Sequence, residues 1–332
     1  MRRIRIALVA SVAFAAALLT VSASASQRDI SLTLVSYSTP REAYGKIISA
    51  FQKTPAGNGI NFTQSYGASG EQSRAIENGL KADVFASSLA PDITRLVKAG
   101  LISKGWNRGP TRGMVTHSVV VFAVRDGNPK KIRQWSDLIK PGVEVITPNP
   151  FTSGGAMWNV MAAYGAQRKD GKSHKSAVDY LLKLFRNVKV QDKSAREALQ
   201  TYLGGKGDVL ITYENEAILA QQKKQPVQYV IPRNTILIEN PVAIVSKTDN
   251  AAAAKAFVTF LRGAQAQQIY GENGYRPLLK SVAAKFKYPN RPGLFTIDAK
   301  WIGGWGSVVT RFFDPKKGIV ADIERKVGGG TG

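Results

Sequence analysis

Cysteine is absent from this chain, and histidine occurs only twice, as His117 and His174. The first absence excludes disulfides, thiolate metal sites and a cysteine nucleophile, together with the lipid-anchoring cysteine of a lipoprotein. The second argues against a two-histidine metal site, because His117 opens a strand-like run while His174 sits in a polar stretch that reads as a loop. Acidic residues are scarce as well: 23 against 46 basic ones, for a net charge of +23. Such a surplus attracts anionic partners in general, whether nucleic acid, a membrane surface or small anions. The lysines and arginines are scattered, however, with modest clusters only at Arg168 to Lys175 and at Lys316 and Lys317. No basic stripe with interleaved aromatics is present, so nucleic acid is not an expected partner and a solvated basic surface is the plainer reading. A nucleophile elbow, a Walker loop and metal-ligand spacings are missing too, which leaves no enzyme, cofactor or metal to expect.

Membrane-length apolar runs are also lacking beyond the first residues. There, Arg2, Arg3 and Arg5 precede an apolar stretch from Ile6 to Val21, interrupted only by Ser11 and Thr20, and Ala23-Ser24-Ala25 follows. A basic start, a short apolar run and a small-x-small site make residues 1–25 a cleavable secretory signal rather than an anchor. Cleavage near Ala25 would release an exported mature chain, its charge reduced from +23 to +20 by loss of the three arginines.

What remains is roughly 300 residues, more than one ordinary core accommodates, and two domains are expected. β-rich runs alternate with helical patterns: Ile30 to Tyr37, Ile60 to Ser65, Asp83 to Ser87, Val119 to Val124, Val143 to Thr147, Lys189 to Gln191, Val209 to Tyr213 and Val242 to Ser246 read as strands. This is the rhythm of an α/β fold with mainly parallel sheets and flanking helices. With no Pro- or Ser-rich linker, the two lobes must be joined by crossing strands, placed near 119–125 and 240–246. The first lobe is then discontinuous (26–118 plus 241–327), the second spans 119–240, and 328–332 form a glycine-rich tail expected to be disordered.

Four strand-to-helix turns are built largely from Ser, Thr, Gly and Ala: Ser36 to Pro40, Tyr66 to Gly70, Ser153-Gly154-Gly155, and Asp192 to Arg196. Each leaves unpaired N–H groups at the positive end of a helix. Ser153 can cap its helix, but two following glycines lower helix stability, so something must need to approach that backbone closely. Glycine admits an anion to the main chain, and serine adds a hydroxyl donor. An isolated buried charge costs tens of kcal/mol by idealised solvation estimates. One charge-assisted hydrogen bond returns only about 1.5–3 kcal/mol, so several donors must converge. Taken singly, each turn is an ordinary helix cap; taken together, they point to a small-anion site in an exported two-lobed protein. Glu214 and Glu216 in TYENEA offer a carboxylate pair, but at i and i+2 they diverge, and acidic residues in a first helical turn favour the dipole.

The segments SYSTPREAY, QSYGASGEQ, GNPKKIRQWSDLIKPGVEVITPNPFTSGGAMWN, GDVLITYENEAIL, GYRP and LFTIDAKWIGGW resemble those of the periplasmic sulfate-binding proteins of ABC importers, a family that includes thiosulfate-binding members. The likeness runs from about Asp29 to Trp305. It implies a bilobal fold of the type II periplasmic-binding class that closes on one desolvated sulfate, with no chemistry, and then docks as a monomer on a membrane permease. Carried over by position, the implied donors are the backbone N–H groups of Ser38, Ser69, Gly154, Gly155 and Ala195, plus the Ser153 hydroxyl. Two departures stand out. Ser38 replaces an aspartate common in the family, which would leave the neighbouring Arg196 less neutralised. Tyr213 stands where the best-known members have a tryptophan that donates to sulfate, so the Tyr213 hydroxyl is expected to donate instead. A phenol can also accept, unlike indole, which keeps phosphate, molybdate or another tetrahedral oxyanion open beside sulfate and thiosulfate. From other classes, a ferric-ion receptor has thin support in Tyr213-Glu214, and a basic polyanion-binding surface protein rests on charge alone.

Overall fold

The computed structural model describes residues 30–289 and 293–330. The expected secretory signal and residues 331–332 lie outside the described residues. Ten strands are found among them: β1 (Ile30–Tyr37), β2 (Ile60–Gly67), β3 (Val84–Ala86), β4 (Met114–Arg125), β5 (Val145–Ile146), β6 (Val188–Val190), β7 (Val209–Tyr213), β8 (Val227–Val230), β9 (Asn234–Ile244) and β10 (Gly293–Phe295). They form one connected path, β2-β1-β3-β9-β4-β7-β5-β6, with β10 on β9 and β8 on β4. At one end β1 pairs parallel with β2 and β3; at the other β5 pairs parallel with β6 and β7. Between them β4 and β9 run antiparallel to each other and to their outer neighbours β7 and β3. The expected pair of mainly parallel sheets is therefore present, but the crossing strands weld them into one curled, mixed sheet. Both crossings start several residues earlier than the sequence pattern placed them.

A strand covered on both faces reads as a continuous apolar run whatever its pairing, and the central antiparallel strand β4 is one: Val119 to Val124 are all within 1% of full burial. On the β1 side, Tyr44, Phe51 and Phe62 pack around Phe257 with ring centroids 4.8–6.5 Å away. On the other side, the helix Gly154–Lys169 is buried from Gly154 through Ala166. Being wrapped on all sides explains its small residues and lack of an apolar stripe. The helix His174–Asn187 occupies the stretch read as a loop around His174; Ser173 caps it, and Ala177, Tyr180, Leu181, Leu184 and Phe185 form its buried face.

Phe295, Ile297, Ile302, Val308, Phe312 and Ile323 share a core with Trp158, Tyr164 and Leu181. Trp305 meets Trp158 edge-on at 4.7 Å, and Phe312 meets Tyr164 at 4.8 Å. Residues 293–327 thus bury aromatic side chains against the 119–240 half. Gly328 is not part of a free tail: its φ of 79° ends the helix Ile319–Val327, and Gly329 N donates to the Glu324 carbonyl.

Candidate functional site

Five turns at strand ends meet where the two halves of the sheet face each other. β1 runs through Ser38 and Thr39 into the helix Arg41–Phe51, and β2 through Ala68 into Ser69–Glu77. From the opposite half come Ser153 before Gly154–Lys169, Ser194 before Ala195–Leu203, and Tyr213 itself before Glu214–Gln222. They surround a small space, about 10 Å³, lined by Tyr37, Ser38, Thr39, Ala68, Ser69, Ser88, Ser153, Gly155, Ala195 and Tyr213. None of these carries an ionisable acid or base other than the two phenols. Burial pushes both phenols up, so they stay neutral.

Helix geometry aims the donors. Ser194 and Glu197 form a reciprocal capping box, the Glu197 carboxylate accepting from Ser194 N at 2.9 Å, which leaves the N–H of Ala195 unspent. Ser153 Oγ accepts a long 3.4 Å bond from Ala156 N and keeps its own hydrogen for another acceptor. Ser69 differs: its hydroxyl donates to Asp92 and is 2.9 Å from Ser87 Oγ, so only its backbone faces the cavity as a donor. Burial raises the Asp92 carboxyl, and the serine hydroxyls oppose that rise.

Of the residues expected from sequence, Ser38, Ser69, Ser153, Gly155, Ala195 and Tyr213 come together around this space. The two glycines separate. A Cβ on Gly155 would stand 3.3–3.5 Å from Ser153 Oγ, Ala195 Cβ and the Tyr213 ring, filling the cavity edge. A Cβ on Gly154 would instead lie 2.8 Å from Leu89 Cδ2 and 2.9 Å from Ser88 Oγ, so Gly154 is bare for packing against the turn after β3. Ser88, absent from the residues expected, lines the space and holds its Oγ 2.6 Å from the Tyr213 hydroxyl. Its Ser-Ser turn was visible in the sequence and, like the turn at Ser36 to Pro40, runs into a proline at a helix start.

Arg196 is not poorly neutralised. It makes two bonds to Glu216 at 2.8 and 2.9 Å, two to Glu42 at 2.9 and 3.0 Å, and one to the Thr39 carbonyl at 2.9 Å. Lys223 adds a 2.8 Å bond to Glu42. Burial alone would raise the Glu42 carboxyl, but Arg196 and Lys223 outweigh it and hold it at about 2. Two cations and two anions sum to zero beside the cavity. Glu214 pairs with Arg276 at 2.6 and 3.0 Å, so the two acidic residues of TYENEA serve different arginines and form no catalytic pair. These bonds also tie the halves together, as do Gly70 N to the Thr152 carbonyl at 3.0 Å and the Trp158 indole to the Ser88 carbonyl at 2.9 Å.

Residues 32–276 match the family described as bacterial extracellular solute-binding protein. The chain belongs to that family. A sulfate-binding protein of Synechocystis sp. is 41% identical over 317 residues, covering 92% of this chain and 89% of that protein. A thiosulfate-binding protein of Pseudomonas aeruginosa is 36% identical, covering 84% and 88%. Among solved structures, the sulfate-binding protein SubI from Mycobacterium tuberculosis H37Rv superimposes with a TM-score of 0.83 at 44% identity, covering 86% of this chain and all of the other. The architecture is thus that of a solute-binding protein, a two-lobed α/β receptor with no catalytic constellation at its cleft. Among the described residues, no helix is long and apolar enough to cross a membrane.

Proposed function

We propose that this solute-binding protein captures one sulfate, or secondarily thiosulfate, between its lobes in the periplasm and delivers it to the permease of an ABC importer. The lobes are 30–118 with 241–289, and 119–240 with 293–327. The observation that carries the reading is the lining: helix N-termini and hydroxyls from both lobes, with no carboxylate, imidazole or ammonium among them. A cation would find no ligand charge there, which disfavours ferric ion. A phosphorylated or proton-bearing guest would find more donors than acceptors. A dianion without protons matches: each N–H gives about 1.5–3 kcal/mol, and the dipoles are fixed before it arrives. The donors proposed are the N–H groups of Ser38, Ser69, Gly154, Gly155 and Ala195 and the hydroxyl of Ser153, with Tyr213 closing one wall. Arg196 acts from behind, holding the lobes without adding net charge.

Calorimetric titration of the mature protein with sodium sulfate tests this. One-to-one binding that changes little between low and moderate sodium chloride is expected. Absence of heat and of a thermal shift with sulfate, beside a clear response to phosphate or molybdate, would reassign the ligand. Steeply salt-dependent binding of polyanions alone would make the protein a surface-charge binder instead.

A further inference from the structure

Ser88 and Tyr213 come from opposite lobes, line the same cavity and sit 2.6 Å apart, each about 1% exposed. We infer that Ser88, rather than Tyr213, gives the bound anion its hydrogen bond at this wall, and that Tyr213 acts as the positioning residue that turns the Ser88 hydroxyl toward the ligand. The inference rests on the sulfate reading above.

The Tyr213 hydroxyl also meets the side-chain amide of Asn240, which acts on it as a donor, so the two hydroxyls still have one O–H left over between them, and the chemistry decides which. A phenol is a stronger acid than an alcohol, so the better arrangement has Tyr213 donating to Ser88 Oγ. The serine hydrogen then has no acceptor among the described residues except whatever occupies the cavity. The serine itself is clamped: its carbonyl accepts from the Trp158 indole and from Asn240 Nδ2, each at 2.9 Å. The Cβ-free face of Gly154 leaves its Oγ room, since a Cβ there would come within 2.9 Å. Accepting from the phenol also polarises the serine O–H, strengthening its donation to an anion. The pair therefore presents a donor, and the wall keeps its preference for a fully deprotonated tetrahedral oxyanion. Without the phenol hydroxyl, Ser88 is free to rotate and offer lone pairs, which suit hydrogen phosphate.

The test is a double-mutant cycle on the full mature protein, titrated with sulfate and with inorganic phosphate near neutral pH. Ser88→Ala is expected to weaken sulfate binding about 10- to 100-fold, the equivalent of one hydrogen bond to a charged group. Tyr213→Phe is expected to weaken it less, about 3- to 10-fold, and to lower the sulfate-to-phosphate preference. The double variant should bind sulfate no more weakly than Ser88→Ala, with the preference no longer dependent on residue 213. Thermal midpoints of the ligand-free variants within about 3 °C of the parent would separate these effects from misfolding. An unchanged sulfate affinity in Ser88→Ala, or losses that multiply in the double variant, would overturn the inference and return the direct contact to Tyr213. If the parent protein itself ignores sulfate, it is the sulfate reading that fails.

Discussion

Gly70 offers a perturbation whose effects on folding and on binding have opposite signs. It is the second residue of the helix Ser69–Glu77, and its N–H donates to the Thr152 carbonyl across the cleft at 3.0 Å. A Cβ at this position would lie 2.8 Å from that carbonyl oxygen, closer than real Cβ atoms come to backbone. Both partners are main chain, so no side chain can swing aside; the lobes must part or tilt. Overpacking of this kind costs about 1–3 kcal/mol, and only the closed form bears it. In the open form, Gly70→Ala simply improves the helix by about 0.5–1 kcal/mol. The variant should therefore unfold at an equal or higher temperature without ligand, yet bind sulfate about 5- to 150-fold more weakly. Differential scanning fluorimetry of the stripped protein and calorimetric titration read the two quantities separately. A sulfate affinity within twofold of the parent would refute the claim that closure brings Gly70 against Thr152. A lowered ligand-free midpoint would instead mean that the lobes are already closed without ligand.

Three further outcomes follow from buried groups. Arg196→Gln leaves the fully buried Glu216 carboxylate without its cation; urea unfolding should show a loss of about 3–5 kcal/mol, largely recovered by adding Glu216→Gln. His117 is held down to about 4, chiefly by burial and then by Arg276. Its contribution to stability is complete above the ordinary imidazole value of 6.5 and lost as pH falls toward 4. His117→Asn should accordingly show a smaller stability difference between pH 7 and pH 4.5 than the parent. Gly165→Ala places a Cβ 2.4 Å from the Phe295 ring, and denaturant midpoints should report about 1–3 kcal/mol of destabilisation, relieved by Phe295→Leu if the C-terminal segment packs on the second lobe.

Local chemistry was legible where it was decided locally. The run Val209–Tyr213 is bounded in the structure as the apolar pattern bounds it, because the turn at Gly207 precedes it and the acidic helix start at Glu214 follows. The serine and glycine turns announced the cavity for the same reason: a helix start that exposes N–H groups has a composition of its own. What the pattern could not carry was partnership at long range. Ser88 meets Tyr213 across 125 residues, and Arg196 meets Glu42 across 154. The expectation of an under-neutralised Arg196 failed there, since no local spacing reveals two carboxylates arriving from different helices. The packing of the C-terminal segment was hidden for a similar reason. Phe295 and Phe312 look like core residues of any lobe, and only the groove beside Gly165 and Tyr164 selects one. The helix after Ser173 was a plainer miss, for its 3-4 spacing of apolar residues is written in the sequence.

The charge balance around Arg196 bears on timing. The molecule as a whole carries a large positive surplus, +23 over the full chain, so a dianion in solution is drawn toward it, and the rate of first encounter should fall as salt screens that field. Beside the cavity Arg196 and Lys223 are balanced by Glu42 and Glu216, and a guest held as proposed above rests on short-ranged dipoles that salt does not reach. Arrival and residence are thus set by different parts of the protein. A sudden rise in ionic strength would slow the filling of the receptor while leaving a receptor already filled almost undisturbed, and evolution could retune the surface for a fresh or a saline environment without touching the turns that choose the ligand.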